Sequence, residues 1–385
     1  MQIYFAHANA YDSHSFYRLC AVYPLMECCM KSLRPAALAV VVALGLAGCQ
    51  APAKKPEAPV NTAAAATPDT QLNQRELGDG LYEMAWTPKA LYVASAQSFK
   101  DVNGGVLYRL DPTTLATTGE THTDLKNFGM AADPDGKVFY TTNSLDGGIS
   151  KVDAQSGKVL ERLKFSEKGK DGSPYGAREI LWHEGQLYIG GVGEPGVIWV
   201  VNANTMKLVK TIKNAGKWVT GIIWSPVTDR IYAANGGGEV LVINPHNHKI
   251  EKRWTAGDGK EYLLLNMAED PATGRLFVTD NSKAKTTLVF DERSGKVIKR
   301  IEGDALGIKF NAKRNEIYIS QREAKKVLQL DATSYAVKNS WSFASNPNSL
   351  LVSPDGQTLY VTVKQAFNKD DSTKGKDSVV RIALK

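Results

Sequence analysis

Four short stretches set an aromatic ring beside a cation: Lys126-Asn127-Phe128, Tyr175-Gly176-Ala177-Arg178, Lys217-Trp218 and Lys260-Glu261-Tyr262. Rings and cations interleaved along one groove suit a single nucleic-acid strand, because bases stack on ring faces and phosphates pair with Lys or Arg. Each stacked base is worth ~1–3 kcal/mol. A second set of cations, Lys100, Lys283, Arg322 and Lys364, falls in the loops that would flank the same groove. Any one of these aromatics is explained as well by packing between strands; their recurrence at like positions in four units gives the binding reading its weight.

Other chemistry is sparse. Glu83 and Glu179 could form an acid/base pair or a cation site, although Arg178 next to Glu179 makes an ion pair the plainer expectation. His122, His183, His246 and His248 show no ligand spacing, and His246-Asn247-His248 reads as a solvated turn. Gly236-Gly237-Gly238 lacks the Lys-Ser/Thr and helix that a phosphate cradle needs. The Asp370-Asp371 stretch, with Lys369, Lys374 and Lys376, reads as a surface loop. No catalytic residue, metal or cofactor is expected.

The N-terminal part reads as processing signal. Lys31 and Arg34 precede an uncharged apolar run from Ala36 to Leu46, and Leu46-Ala47-Gly48-Cys49 follows at once. The run is too short to span a bilayer and has the flanks of a cleaved export signal. Its last four residues resemble a bacterial lipobox, so residues 30–48 are read as a lipoprotein signal peptide and Cys49 as the lipidated first residue. Residues 1–29 are expected to come from a misassigned start codon. Residues 49–71, rich in Ala, Pro, Thr and Lys, cannot bury enough apolar surface to offset their ordering entropy and read as a tether. Cys49 is the only cysteine after the signal, which excludes a disulfide or thiolate metal site in the folded part. The 47 basic and 40 acidic residues give a net charge of +7, too small an excess to name a partner alone.

The remainder is periodic. An apolar-aromatic pair recurs at Leu91-Tyr92, Phe139-Tyr140, Leu187-Tyr188, Ile231-Tyr232, Leu276-Phe277, Ile317-Tyr318 and Leu359-Tyr360, spaced by 41 to 48 residues. A turn rich in Pro, Asp, Asn or Gly precedes each pair. A β-branched strand follows it and ends in Asp111, Asp153, Asn202, Asn244, Asp291 or Asp331, side chains that open a tight turn into a fourth strand. The seventh unit stops one strand short, while Gln71 to Leu77 supplies a spare strand ahead of the first. Pairing the two predicts an all-β, seven-bladed β-propeller over residues 72–385, with four-stranded blades and a ring closed between its ends.

These residues carry a resemblance. Phe139-Tyr-Thr-Thr-Asn143 through Gly157-Lys158-Val159 looks like a YVTN-type propeller repeat. Gly80-Leu-Tyr-Glu-Met-Ala-Trp86, Gly104-Gly-Val-Leu-Tyr-Arg-Leu-Asp-Pro112, Val197-Ile-Trp-Val-Val201, Asn346-Pro-Asn-Ser349 and Leu359-Tyr-Val-Thr-Val-Lys-Gln365 resemble the YncE family across the whole domain. The resemblance implies a periplasmic seven-bladed propeller, with single-stranded DNA as a proposed ligand and no established reaction. The lipobox and tether depart from the plain signal peptide of that family.

The leading expectation is a non-enzymatic, monomeric binding protein of the cell envelope. It would be anchored by lipid to the outer membrane on the periplasmic side and bind an extended anionic ligand, most concretely single-stranded DNA. The site residues would be Phe128, Tyr175, Arg178, Lys217, Trp218, Lys260, Tyr262, Lys100, Arg322 and Lys364. The alternatives are a scaffold for an envelope protein, which needs an apolar patch at the mouth, and a lactonase- or lyase-type propeller enzyme, which needs carboxylates or histidines converging on the channel.

Overall fold

The computed structural model describes residues 72–98, 103–369 and 372–385. Cys49, the signal, the tether and Lys100 lie outside them, as do Asp370 and Asp371. The described residues form seven four-stranded antiparallel sheets. The first blade runs Leu81–Thr87, Ala90–Ser95, Gly105–Leu110 and Thr117–Thr123, from the inner strand outward. Inner strands of the next five begin at Asn127, Gly176, Val219, Leu264 and Ile308. The last blade holds Asn346–Val352, Thr358–Lys364 and Ser378–Ala383, and its outer strand is Leu72–Glu76, in register Leu72 to Ile382 and Glu76 to Ser378. The closure expected from the strand deficit is the one observed.

The repeated aromatic pair sits in the second strand of each blade, where both of its residues are almost wholly buried. In four blades the tyrosine hydroxyl also ties its blade to the next. Tyr92, Tyr140, Tyr188 and Tyr360 donate to the carbonyls of Ala154, Ala203, Pro245 and Pro112 at 3.1, 2.9, 3.2 and 2.7 Å. Each acceptor directly follows the Asp or Asn that closes a third strand. Those closing side chains make the turns read from the sequence: Asp111 accepts from the Thr113 and Thr114 amides, and Asp331 from Thr333 and Ser334. One hydroxyl therefore fixes the neighbour that the sequence period can only count.

Six of the seven inner strands are bulged at their start, with register shifts at Leu81/Met84, Asn127/Met130, Ala177/Ile180, Val219/Gly221, Leu264/Met267 and Pro347/Leu350, while that of blade six pairs without a shift. A bulge frees backbone groups from the ladder, and a second-strand hydroxyl takes them up. Thr142 accepts from the Gly129 amide and donates to the Arg178 carbonyl of the next blade. Thr279 links Asn266 to Leu306, and Ser320 links Gly307 to Asn348, in the same way. These hydroxyls thus stitch adjacent blades around the channel, and the strand starts turn one residue per blade toward it.

Candidate functional site: the central channel and its mouth

Aligned on the bulges, and in blade six on the Gly307 amide's bond to Ser320, the channel-facing residues of blades one to seven are Glu83, Gly129, Glu179, Gly221, Asn266, Gly307 and Ser349. Polar side chains alternate with glycines. The glycines are steric necessities: a Cβ at Gly129, Gly221 or Gly307 would lie 2.3, 2.3 or 2.5 Å from the carbonyl of Arg178, Leu265 or Asn348. The polar groups open onto a cavity of about 210 Å³ that Met130, Ile180, Ile222, Met267, Ile308 and Leu350 also line, with Lys309 below them.

Ser349 donates to Glu83 Oε1 at 2.7 Å, and Asn266 donates to the Leu306 carbonyl at 2.8 Å. Glu179 keeps some contact with the channel space but sits deep in the ring. Burial first, and the Glu83 charge second, push its carboxyl up to about 7, against the opposing pull of Lys309 and Arg178. A carboxyl near neutrality in a cavity is suited to holding or passing a proton. The expected ion pair between Arg178 and Glu179 does not form. Arg178 turns between blades instead, donates to the Thr220 carbonyl, and lies 5.8 Å from the centre of the Phe128 ring.

Of the residues read as a nucleic-acid platform, those described fall at the end of the ring where inner strands begin. Their faces are largely taken by one another. Phe128, Trp218 and Tyr262 are buried, at 5, 5 and 6 % exposure. Phe128 packs on Tyr82 with centroids 3.8 Å apart, and the Lys364 ammonium lies 3.8 Å from the centre of the Tyr82 ring. Lys217 covers Trp218 at 4.3 Å. The Tyr262 hydroxyl donates to Asp258 at 2.7 Å, which Arg300 also meets. Lys217-Trp218 is thus a cation–π pair within one stretch, while Phe128 and Tyr82 meet cations from other segments, contacts worth ~0.5–2 kcal/mol each.

Tyr175 is half-buried, its ring against Gly193, where a Cβ would fall 2.2 Å from it. Lys217 and Arg322 are half-buried, while Lys260 and Lys283 are exposed. Lys126 is capped by the carbonyls of Ala96, Ser98 and Gly104, and burial lowers its pKa. Lys364 is a core residue, its ammonium pushed down to about 8 by burial. Sequence reasoning missed Tyr82, Asn266, Lys309 and Ser349, because the bulges that place Tyr82, Asn266 and Ser349 are visible only in the strand register. Among the described residues no group of three His, Cys, Asp or Glu side chains could hold a metal ion. His183 stacks on Trp224, whose indole donates to Asp229, and His246 meets the same carboxylate.

Seven four-stranded blades around a polar channel define a seven-bladed β-propeller, a class that binds at one mouth or in the channel. Residues 79–234 match the SMP-30/Gluconolactonase/LRE-like region family. The chain is 38 % identical over 319 residues to "Uncharacterized protein YncE" of Salmonella typhimurium, covering 81 % of this chain and 90 % of the relative. It is 37 % identical over 322 residues to the Escherichia coli K12 protein of the same name, covering 82 % and 91 %. The chain belongs to the YncE family.

Proposed function

We propose that this propeller is a non-enzymatic binding protein of the cell envelope, held by lipid at Cys49, whose channel mouth takes an extended anionic ligand, single-stranded DNA being the concrete case. The observation that carries the reading is the set of cations at one end of the ring: Lys217 of blade four, Lys260 and Lys283 of blade five, and Arg322 of blade six. With three of the aromatic rings buried, phosphate contacts would do most of the holding, and binding would be sequence-tolerant and salt-sensitive. Glu83 and Glu179 would keep a polyanion on the mouth and out of the channel. Among the described residues the exposed large hydrophobics lie on outer strands, which gives an apolar protein-docking patch at the mouth no support. Fluorescence anisotropy with a labelled oligonucleotide at several salt concentrations tests the reading. Lys217→Ala, Lys260→Ala and Arg322→Ala should each weaken binding and flatten the salt slope; an oligonucleotide that fails to bind at low salt would dismiss it.

One observation favours a second reading. Glu179, poised near neutral pH beside Glu83 and Ser349, is the arrangement an acid/base propeller enzyme would need, and part of the chain matches a family whose name includes gluconolactonase. Hydrolysis of a lactone that Glu179→Gln abolishes would move this reading to first place.

A further inference from the structure

The outer strand of each blade carries the free edge of its sheet. In six blades that strand has one residue more than its partner: Thr118, Leu160, Val209, Glu251, Ile298 and Lys338. Two residues of a bulge oppose one residue of the partner, so side chains three apart across it face the same way. Three consecutive blades place lysines at that spacing. Lys207 and Lys210 stand opposite Asn202 and Val200, Lys249 and Lys252 opposite Asn244 and Val242, and Lys296 and Lys299 opposite Asp291 and Val289. All six are exposed, and among the described residues none forms an ion pair. Arg253 and Arg300 on the same strands are held by Glu239 and Asp258.

The extra residue is a large aliphatic in blades two, three and five: Leu160, Val209 and Ile298, exposed by 56, 48 and 52 %. Leu208 and Val337 complete the exposed large hydrophobics among the described residues; all five lie on outer strands and none is aromatic.

We propose that the rim of blades three to five docks on an anionic lipid bilayer. Unpaired lysines, two on one face of each of three neighbouring outer strands, answer a negative surface, each strengthening binding by roughly five-fold. Aliphatics flared outward at a bulge suit the headgroup boundary. A nucleic-acid strand would call for ring faces, which this rim lacks. The surface is separate from the mouth, so the two can fail independently.

The ring is complete within residues 72–385, so the unacylated chain from residue 50 keeps the whole rim without help from an anchor. It should pellet with vesicles rich in phosphatidylglycerol, much less with phosphatidylcholine alone, and should be released by salt. Lys207→Glu with Lys210→Glu should cut partitioning by at least roughly 25-fold at an unchanged melting temperature. Val209→Asp with Ile298→Asp should weaken it further, and oligonucleotide binding should not move. Vesicle binding that ignores the rim charges would overturn the proposal. So would rim variants that lose oligonucleotide affinity while vesicle binding stays constant.

Discussion

Asp377, in the last blade, accepts from the backbone amide of Leu81, in the first, at 3.0 Å. The same carboxylate takes the Gln365 amide at 2.7 Å, and Lys364, 3.6 Å from it, donates to the Leu81 carbonyl at 2.9 Å. Both polar groups of one residue are thus gripped by a buried ion pair some 290 residues away in sequence. Asp377→Ala strands the Lys364 charge and should cost ~3–5 kcal/mol. Thermal and urea unfolding measure it; a loss below ~1 kcal/mol would mean the latch is ornamental.

Removing residues 72–77 takes the outer strand from the last blade and the Leu77 amide from the Asp377 carbonyl. A chain beginning at Gly78 should melt lower and self-associate, because Ser378–Ala383 becomes a bare edge. Equal melting temperatures with no new oligomers by light scattering would show that the blade tolerates three strands.

Between blades four and five, Ser225 Oγ lies 2.6 Å from Glu269 and 2.8 Å from Glu292, both half-buried or buried. Burial, then the nearby Glu292, raises Glu269 to about 8, and burial also raises Glu292. The folded state therefore holds a proton that the unfolded chain releases near 4.5, and stability falls as pH rises from there to about 8, then levels off. Glu269→Gln should flatten that decline in melting temperature. Glu179 adds a slope of the same sign, so the comparison is between wild type and variant. Parallel declines would exclude a role for Glu269.

Trp218 packs with Val192, Leu265 and Leu306. Trp218→Ala should cost ~3–5 kcal/mol of stability, whereas Lys217→Ala should cost only the cation–π contact, ~0.5–2 kcal/mol. Against an oligonucleotide the order reverses. Lys217→Ala should lower the salt slope by ~0.7, and Trp218→Phe should leave affinity as it was. A large affinity loss in a folded Trp218→Phe variant would return the indole to the binding surface.

The period of the aromatic pairs and the missing strand were enough to read blade number, strand order and closure, since each depends on local pattern and a count. The mouth was less legible. Lys364 and Phe128 look alike on paper as a cation and a ring near strand ends, but both meet at Tyr82, brought there from blades seven and two. Ser225, Glu269 and Glu292 carry no local signal because three separate segments supply them. Nor does the sequence mark where an extra residue bulges, and the bulge decides which side chain reaches the channel.

The alternation of glycine and polar side chains around the channel has an arithmetical consequence. A two-valued pattern cannot close on an odd number of places, so one pair of like neighbours is forced somewhere on a seven-membered ring. Here the forced pair is Ser349 and Glu83, at the seam where the chain's end meets its beginning, and the mismatch is resolved by their hydrogen bond. Parity thus makes one place on the channel wall unlike the rest, and the residue types put it at the seam before any ligand arrives.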